Sequence, residues 1–134
     1  MSSLVIYTDG GARGNPGPAG IGAVIYDDQR HVLAEISQYL GVTTNNQAEY
    51  RAVIAALEKA AQLGGSELEF YLDSELVVRQ LNHEYKVKNK DLAPLFLKIH
   101  NLLLGFKKSS FFHVPREQNK EADRLANEAM DRGI

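Results

Sequence analysis

The feature that most constrains this chain is the stretch Tyr7-Thr8-Asp9-Gly10-Gly11-Ala12-Arg13-Gly14-Asn15-Pro16-Gly17, together with the apolar runs on either side of it. Leu4-Val5-Ile6-Tyr7 leads in, and Ile21-Gly22-Ala23-Val24-Ile25-Tyr26 leads out. β-branched content and alternation make both runs strands, and the Gly/Asn/Pro cluster between them predicts a hairpin with a long loop. Strand side chains alternate between faces, so Val5, Tyr7 and Asp9 share one. On this reading a carboxylate stands in line with two buried side chains, a costly place for a charge unless a cation offsets it.

The rest of the chain extends this beginning into a sheet. Asp27-Asp28 supplies a turn, and Arg30 to Leu40 reads as a third strand with Val32, Ala34 and Ile36 on one face. Thr44 and Gln47 stand at capping-box spacing before a helix that runs to about Leu63 and stops at Gly64-Gly65. Its apolar stripe is Val53, Leu57 and Ala60, and Glu49 lies four residues before Val53, on the same line. Glu67 to Leu72 is a strand between helices, which requires a parallel neighbour and a crossover. A helix from Ser74 to Asn82, a polar irregular segment from His83 to Lys90 and a helix from Asp91 to Leu104 follow. Ser109 to Val114 is the fifth strand and Glu117 to Asp131 the last helix. The order β-β-β-α-β-α-α-β-α predicts an α/β fold, a mixed five-stranded sheet flanked by helices.

Charge and composition narrow the function. There is no cysteine among the 134 residues, so thiolate metal sites and disulfides are excluded and a reducing compartment is expected. No apolar run is long enough to span a bilayer and no leader pattern opens the chain, so a cytoplasmic monomer of one domain, residues 1–134, is expected. The net charge is −2, yet residues 79 to 108 carry seven basic side chains against two acidic ones. A basic segment in an acidic chain suits either a phosphate backbone or a solvated helix face.

Four acids stand apart from ordinary surface residues. Asp9 is on the first strand, Glu49 continues a buried helix stripe, Asp73 ends a parallel strand where ligands gather, and Asp123 lies beside the apolar face of the last helix. Each has an ordinary alternative: a turn former, a helix-dipole partner, a helix cap and a solvent ion pair. Together, converging acids without a matching buried base repel one another unless divalent cations lie between them. All-oxygen donors suit Mg²⁺ or Mn²⁺ far better than zinc.

The motifs at 7–17, Thr44-Asn45-Asn46-Gln47-Ala48-Glu49, Asp73-Ser74-Glu75 and Asn119-Lys120-Glu121-Ala122-Asp123 resemble type 1 ribonuclease H, in order and over nearly the whole chain. The resemblance is to a compact form without the basic protrusion or a separate hybrid-binding domain. It implies a ribonuclease H-like fold with three antiparallel strands and then two parallel ones. It also implies hydrolysis of the RNA strand of RNA/DNA hybrids by two divalent ions, leaving 3′-hydroxyl and 5′-phosphate ends. Asp9, Glu49, Asp73 and Asp123 would then be the metal-binding acids, with Asp9 bridging.

His113 stands where bacterial members carry an assisting histidine, ten residues before Asp123, and Arg116 is the competing auxiliary residue. Substrate contacts are implied for Gly10, Gly11, Ala12, Arg13 and Asn15, and for Thr43, Thr44, Asn45, Asn46 and Gln47. Glu75 replaces the glutamine usual after Asp-Ser, and Lys86, Lys88 and Lys90 stand in part for the missing protrusion. The rival readings are a variant that also cuts duplex RNA and a non-catalytic nucleic-acid-binding module.

Overall fold

Strand β1 (Ser2–Ala12) is the middle strand of the sheet, antiparallel to β2 (Gly17–Tyr26) and parallel to β4 (Gly65–Leu72). β3 (Val32–Thr43) pairs antiparallel with β2, and β5 (Lys108–His113) pairs parallel with β4, giving the order β3-β2-β1-β4-β5. The helices are α1 (Asn45–Gln62), α2 (Glu75–Leu81), α3 (Ala93–Leu103) and α4 (Lys120–Arg132). The structure is a computed structural model and describes residues 2–134. The mixed sheet has the predicted element order and strand directions.

The first hairpin departs from expectation. Pairing continues through the glycines to Ala12 opposite Ala19, so the long loop shrinks to residues 13–16, closed by the Arg13 amide donating to the Pro18 carbonyl at 2.8 Å. Glycine reads as a loop former in sequence, but here it serves close packing. A Cβ on Gly10 would run into the backbone of Ala48 and approach the Glu49 nitrogen to 2.6 Å. One on Gly22, opposite Asp9 in the register, would strike the Ala122 carbonyl and come within 2.6 Å of the Ala126 nitrogen. Helix α1 is therefore seated directly on β1 from one side of the sheet, and α4 on β2 from the other.

The faces of β1 are also assigned differently. Leu4, Ile6 and Thr8 form the buried line, under α1 with Tyr50, Val53, Leu57, Leu68 and Phe70. Val5 and Tyr7 are half-buried on the opposite face, where Tyr7 stacks on Tyr71 at 5.0 Å and Tyr71 on Phe112 at 5.3 Å. Asp9 thus ends the half-buried line rather than the buried one, and its own 9% exposure reflects the elements that close over the end of the strand. Burying each large core side chain is worth about 1.5–3 kcal/mol. The α1 side, where these side chains cluster, is the main store of stability.

Elsewhere the shifts are small and have local causes. The Thr44–Gln47 capping box forms as predicted. The Asp27 carboxylate accepts from the amides of Gln29 and His31 at 2.9 Å, and this Asx turn delays β3 to Val32. Pro115 and Asn119 bracket a 3₁₀ turn over Arg116–Gln118, so the last helix starts at Lys120 and not at Glu117. The Tyr50 hydroxyl donates to Gln80 at 2.6 Å, tying α1 to α2 without leaving either buried group unpaired.

Gly22→Ala should cost about 1–3 kcal/mol by overpacking the β2–α4 contact. Chemical denaturation measures it; a variant as stable as the parent would mean that α4 does not sit where the structure has it.

Candidate metal centre

The register of two parallel strands brings the first pair of acids together. Tyr7 pairs with Tyr71, so two residues further along Asp9 and Asp73 emerge side by side at the carboxyl ends of β1 and β4. Glu49 comes down from the second turn of α1, and the Gly10 amide donates to its Oε1 at 2.5 Å. The close approach that Gly10 permits is what allows this bond. One carboxylate oxygen from each of Asp9, Glu49 and Asp73 lies within 4.8 Å of the others. Asp123, from the first turn of α4, is close enough to contribute to the raised Asp9 pKa, and its Oδ1 accepts from Arg116 Nη2 at 3.2 Å.

The electrostatics match the geometry. Burial raises the Asp9 pKa from 3.8 to about 8, with the Asp73 charge and the contacts with Asp123 adding to it. Burial, and then the charges of Asp9 and Asp73, push Glu49 well above the carboxylate range. Asp73 is raised by burial, against the opposing pull of the Asn119 amide, Arg116 and His113. Acids in this condition need protons or a multivalent cation, and Arg116 alone cannot serve all four. Every donor is a hard carboxylate oxygen, so the residues fit Mg²⁺ or Mn²⁺.

A cavity of about 500 Å³ opens over the cluster. Of the other residues expected here, Gly10, Gly11, Ala12, Arg13, Asn45 and Asn46 line it, as does Arg116. Asn15 braces it from behind: its Oδ1 accepts from the Asn45 amide at 3.1 Å, while Asn45 Oδ1 accepts from Ala12 at 2.7 Å. Arg13 reaches across to Asp131 of α4 at 2.7 Å. Thr44 is engaged in capping α1, and Thr43 and Gln47, bonded to each other, line a separate cleft between β3, α1 and α3. His113 is exposed at the end of β5, paired in register with Leu72. Ser74, not Asp73, caps α2, which frees the Asp73 carboxylate.

Two features were not anticipated. Glu75 is held by Arg79, whose Nη2 and Nε donate to it at 2.9 and 3.1 Å. Asn119, taken from the sequence only as part of the last motif, is buried against the acids. Its position four residues before Asp123 was the available signal.

The sign of the Asp9 shift gives a test. Below 3.8 the carboxyl is protonated in both states; between 3.8 and about 8 the folded protein keeps a proton that the unfolded chain has lost. Stability from this group therefore falls as pH rises through that window. In chelator, the stability gain of Asp9→Asn over the parent should grow from about pH 4 to about pH 8. Thermal melts across the range check it, and a gain independent of pH would remove Asp9 from the repelling cluster.

Known proteins share this chain's sequence and fold. The family model described as reverse transcriptase-like matches residues 7–129. The bifunctional protein Rv2228c of Mycobacterium tuberculosis is 50% identical over 129 residues, covering 96% of this chain and 35% of the relative. The structure of its N-terminal RNase H domain, a fusion with maltose-binding protein, superimposes with a TM-score of 0.94 at 48% identity, covering 96% of this chain and 99% of that one. Ribonuclease HI of Halobacterium salinarum is 46% identical over 125 residues, covering 93% of this chain and 63% of the relative. LC11-RNase H1, isolated from compost and solved with an RNA/DNA hybrid, gives a TM-score of 0.92 at 50% identity, covering 96% and 97% of the two chains. The chain spans about a third of the first curated relative and under two thirds of the second. Fold, motif order and these likenesses together place the chain in the type 1 ribonuclease H family.

Proposed function

We propose that the protein is a divalent-metal-dependent endonuclease that hydrolyses the RNA strand of RNA/DNA hybrids. The observation that carries this is the convergence of Asp9, Glu49 and Asp73 in a cavity that the Gly10 and Gly11 backbone helps to line, with Asp123 close to Asp9. The four acids would hold two ions, Mg²⁺ or Mn²⁺. When bound, such a pair supplies an activated water on one side of a phosphate and charge stabilisation on the other, consistent with 3′-hydroxyl and 5′-phosphate products.

The chain's own residues do the rest. Gly10 and Gly11 bring no side chain to the cavity wall, so a ribose can approach the backbone and its 2′-hydroxyl can separate RNA from DNA. Asn45 and Asn46 present amides beside it, with Asn15 holding Asn45 in place. Thr43, Thr44 and Gln47 flank the helix start, where a phosphate of the other strand would pass. Arg116 faces the acids and offers a guanidinium to charge developing on the leaving group. His113, exposed next to Asp73, is placed to move a proton. Lys86, Lys88 and Lys90 are exposed on the segment between α2 and α3 and suit the backbone of a hybrid. Residues 1–134 would act as one domain and a monomer; the absence of cysteine supports a reducing, cytoplasmic setting. Among the described residues no helix is long and apolar enough to cross a membrane.

Labelled hybrid, duplex RNA and duplex DNA, each with and without Mg²⁺ or Mn²⁺, test the reading. Metal-dependent cleavage confined to the RNA of the hybrid is expected, and Asp9→Asn should abolish it. Equal cutting of duplex RNA would assign the broader activity, and binding without cutting would leave only a nucleic-acid-binding module. His113→Ala should slow turnover about 10- to 100-fold; an unchanged rate transfers the role to Arg116. Replacing Lys86, Lys88 and Lys90 by Gln should weaken hybrid binding and flatten its salt dependence by roughly one unit of slope for each phosphate no longer neutralised. An unaltered slope would turn that segment away from the substrate.

A further inference from the structure

Asn119 is 1% exposed and stands at the start of α4, where asparagine ordinarily caps a helix with its side chain. It makes no such cap here. The side chain turns inward instead, and Nδ2 donates to the Thr8 carbonyl at 2.9 Å and lies 3.4 Å from Asp73 Oδ2. Its own Oδ1 is buried without a hydrogen-bond partner among the described residues. The amide cannot be relieved by flipping, because that would aim the oxygen at two acceptors. An unpaired buried acceptor and a forgone cap are two costs accepted at one position.

The groups it touches explain why. Thr8 immediately precedes Asp9, Asp73 is itself one of the acids, and the Asn119 backbone carbonyl accepts from the Asp123 amide at 3.1 Å. One residue therefore contacts the chain at three of the four carboxylates, and Glu49 is held separately by Gly10. We infer that Asn119 is the positioning residue of the metal centre, holding Asp73 by a donated hydrogen bond and β1 by the Thr8 carbonyl so that the acids are assembled before an ion arrives. A carboxylate fixed by a neutral donor keeps its charge available to a cation, whereas an arginine or lysine in the same place would compete with the ion. Groups that orient metal ligands in this way commonly change metal affinity or activity by about 10- to 100-fold when removed.

The inference rests on the metal centre proposed above, and its test reads metal binding apart from cleavage. Asn119→Ala and Asn119→Ser are compared with the parent by thermal melting in chelator, by calorimetric titration with Mn²⁺, and by kcat and KM on hybrid. Serine can cap α4 but is too short to reach Asp73, so it separates the helix start from the metal centre. The expected result is that Asn119→Ser recovers most of the stability lost in Asn119→Ala, while both bind Mn²⁺ about ten-fold more weakly or worse. In both, kcat falls and KM for hybrid is little changed. Parent-like Mn²⁺ affinity in either folded variant overturns the inference. Should alanine fail to fold, the serine variant decides alone; should neither fold, Asn119 is a folding residue and the inference falls. A parent that binds Mn²⁺ without cutting hybrid defeats the proposed activity but leaves the calorimetric comparison standing. A parent that binds no Mn²⁺ defeats both.

Discussion

The structure depends on a repulsion. Asp9, Glu49 and Asp73 are brought within a few ångströms of one another, and burial first, then the neighbouring charges, raise the Asp9 pKa to about 8. At about 1.4 kcal/mol per unit, shifts of this kind are a sizeable share of the roughly 5–15 kcal/mol that holds a domain together. The cluster survives because three of the four acids are also held by something other than one another. The Gly10 amide holds Glu49, the Asn119 amide holds Asp73 and the Arg116 guanidinium holds Asp123. Two of those three holders are neutral. They fix geometry without discharging the site, which leaves a cation as the group that can relieve it.

The same economy runs through the sheet. Helices are ordinarily kept off a strand by side chains, and here Gly10 and Gly22 remove that spacer on opposite faces and neighbouring strands. Helix α1 therefore brings the Glu49 carboxylate into contact with β1, and α4 brings Asp123 beside Asp9 from the other side. The core beneath α1, with Tyr50 bonded to Gln80 at its far side, carries the cost of the arrangement. Site and packing are inseparable at these two positions, since closing either gap with a methyl group would move a carboxylate.

Much of this was legible in the sequence, for identifiable reasons. Strand alternation and helical stripes are local signals, and they located every strand and α-helix, though not the 3₁₀ turn over Arg116–Gln118. The capping box of Thr44 and Gln47 formed because both partners are three residues apart and need nothing else. What failed were readings that require knowing the neighbour across the fold. Gly10 and Gly11 suggested a loop because a lone sequence cannot show α1 pressing on the strand. Val5 and Tyr7 seemed buried with Asp9 until the sheet's second face proved to be covered only in part. Asn119 went unassigned because its partners, Thr8 and Asp73, lie 111 and 46 residues away.

These long separations bear on how the site can fail. The four acids come from β1, α1, the end of β4 and α4, so no single hairpin or helix contains the site. It exists only once the sheet has closed and both of its faces have been covered. Asp9, Glu49 and Asp73 depend on the β1–β4 register and on α1, the most deeply buried part of the molecule. Asp123 depends on α4, which is seated on β2 through Gly22 and buries Ala122, Leu125, Ala126 and Ala129 against the sheet; the exposed Arg13–Asp131 pair adds little to that. Asn119 stands where the two parts meet, bonded to β1 and Asp73 by its side chain while its backbone starts α4, and so ties Asp123 to the three-acid cluster.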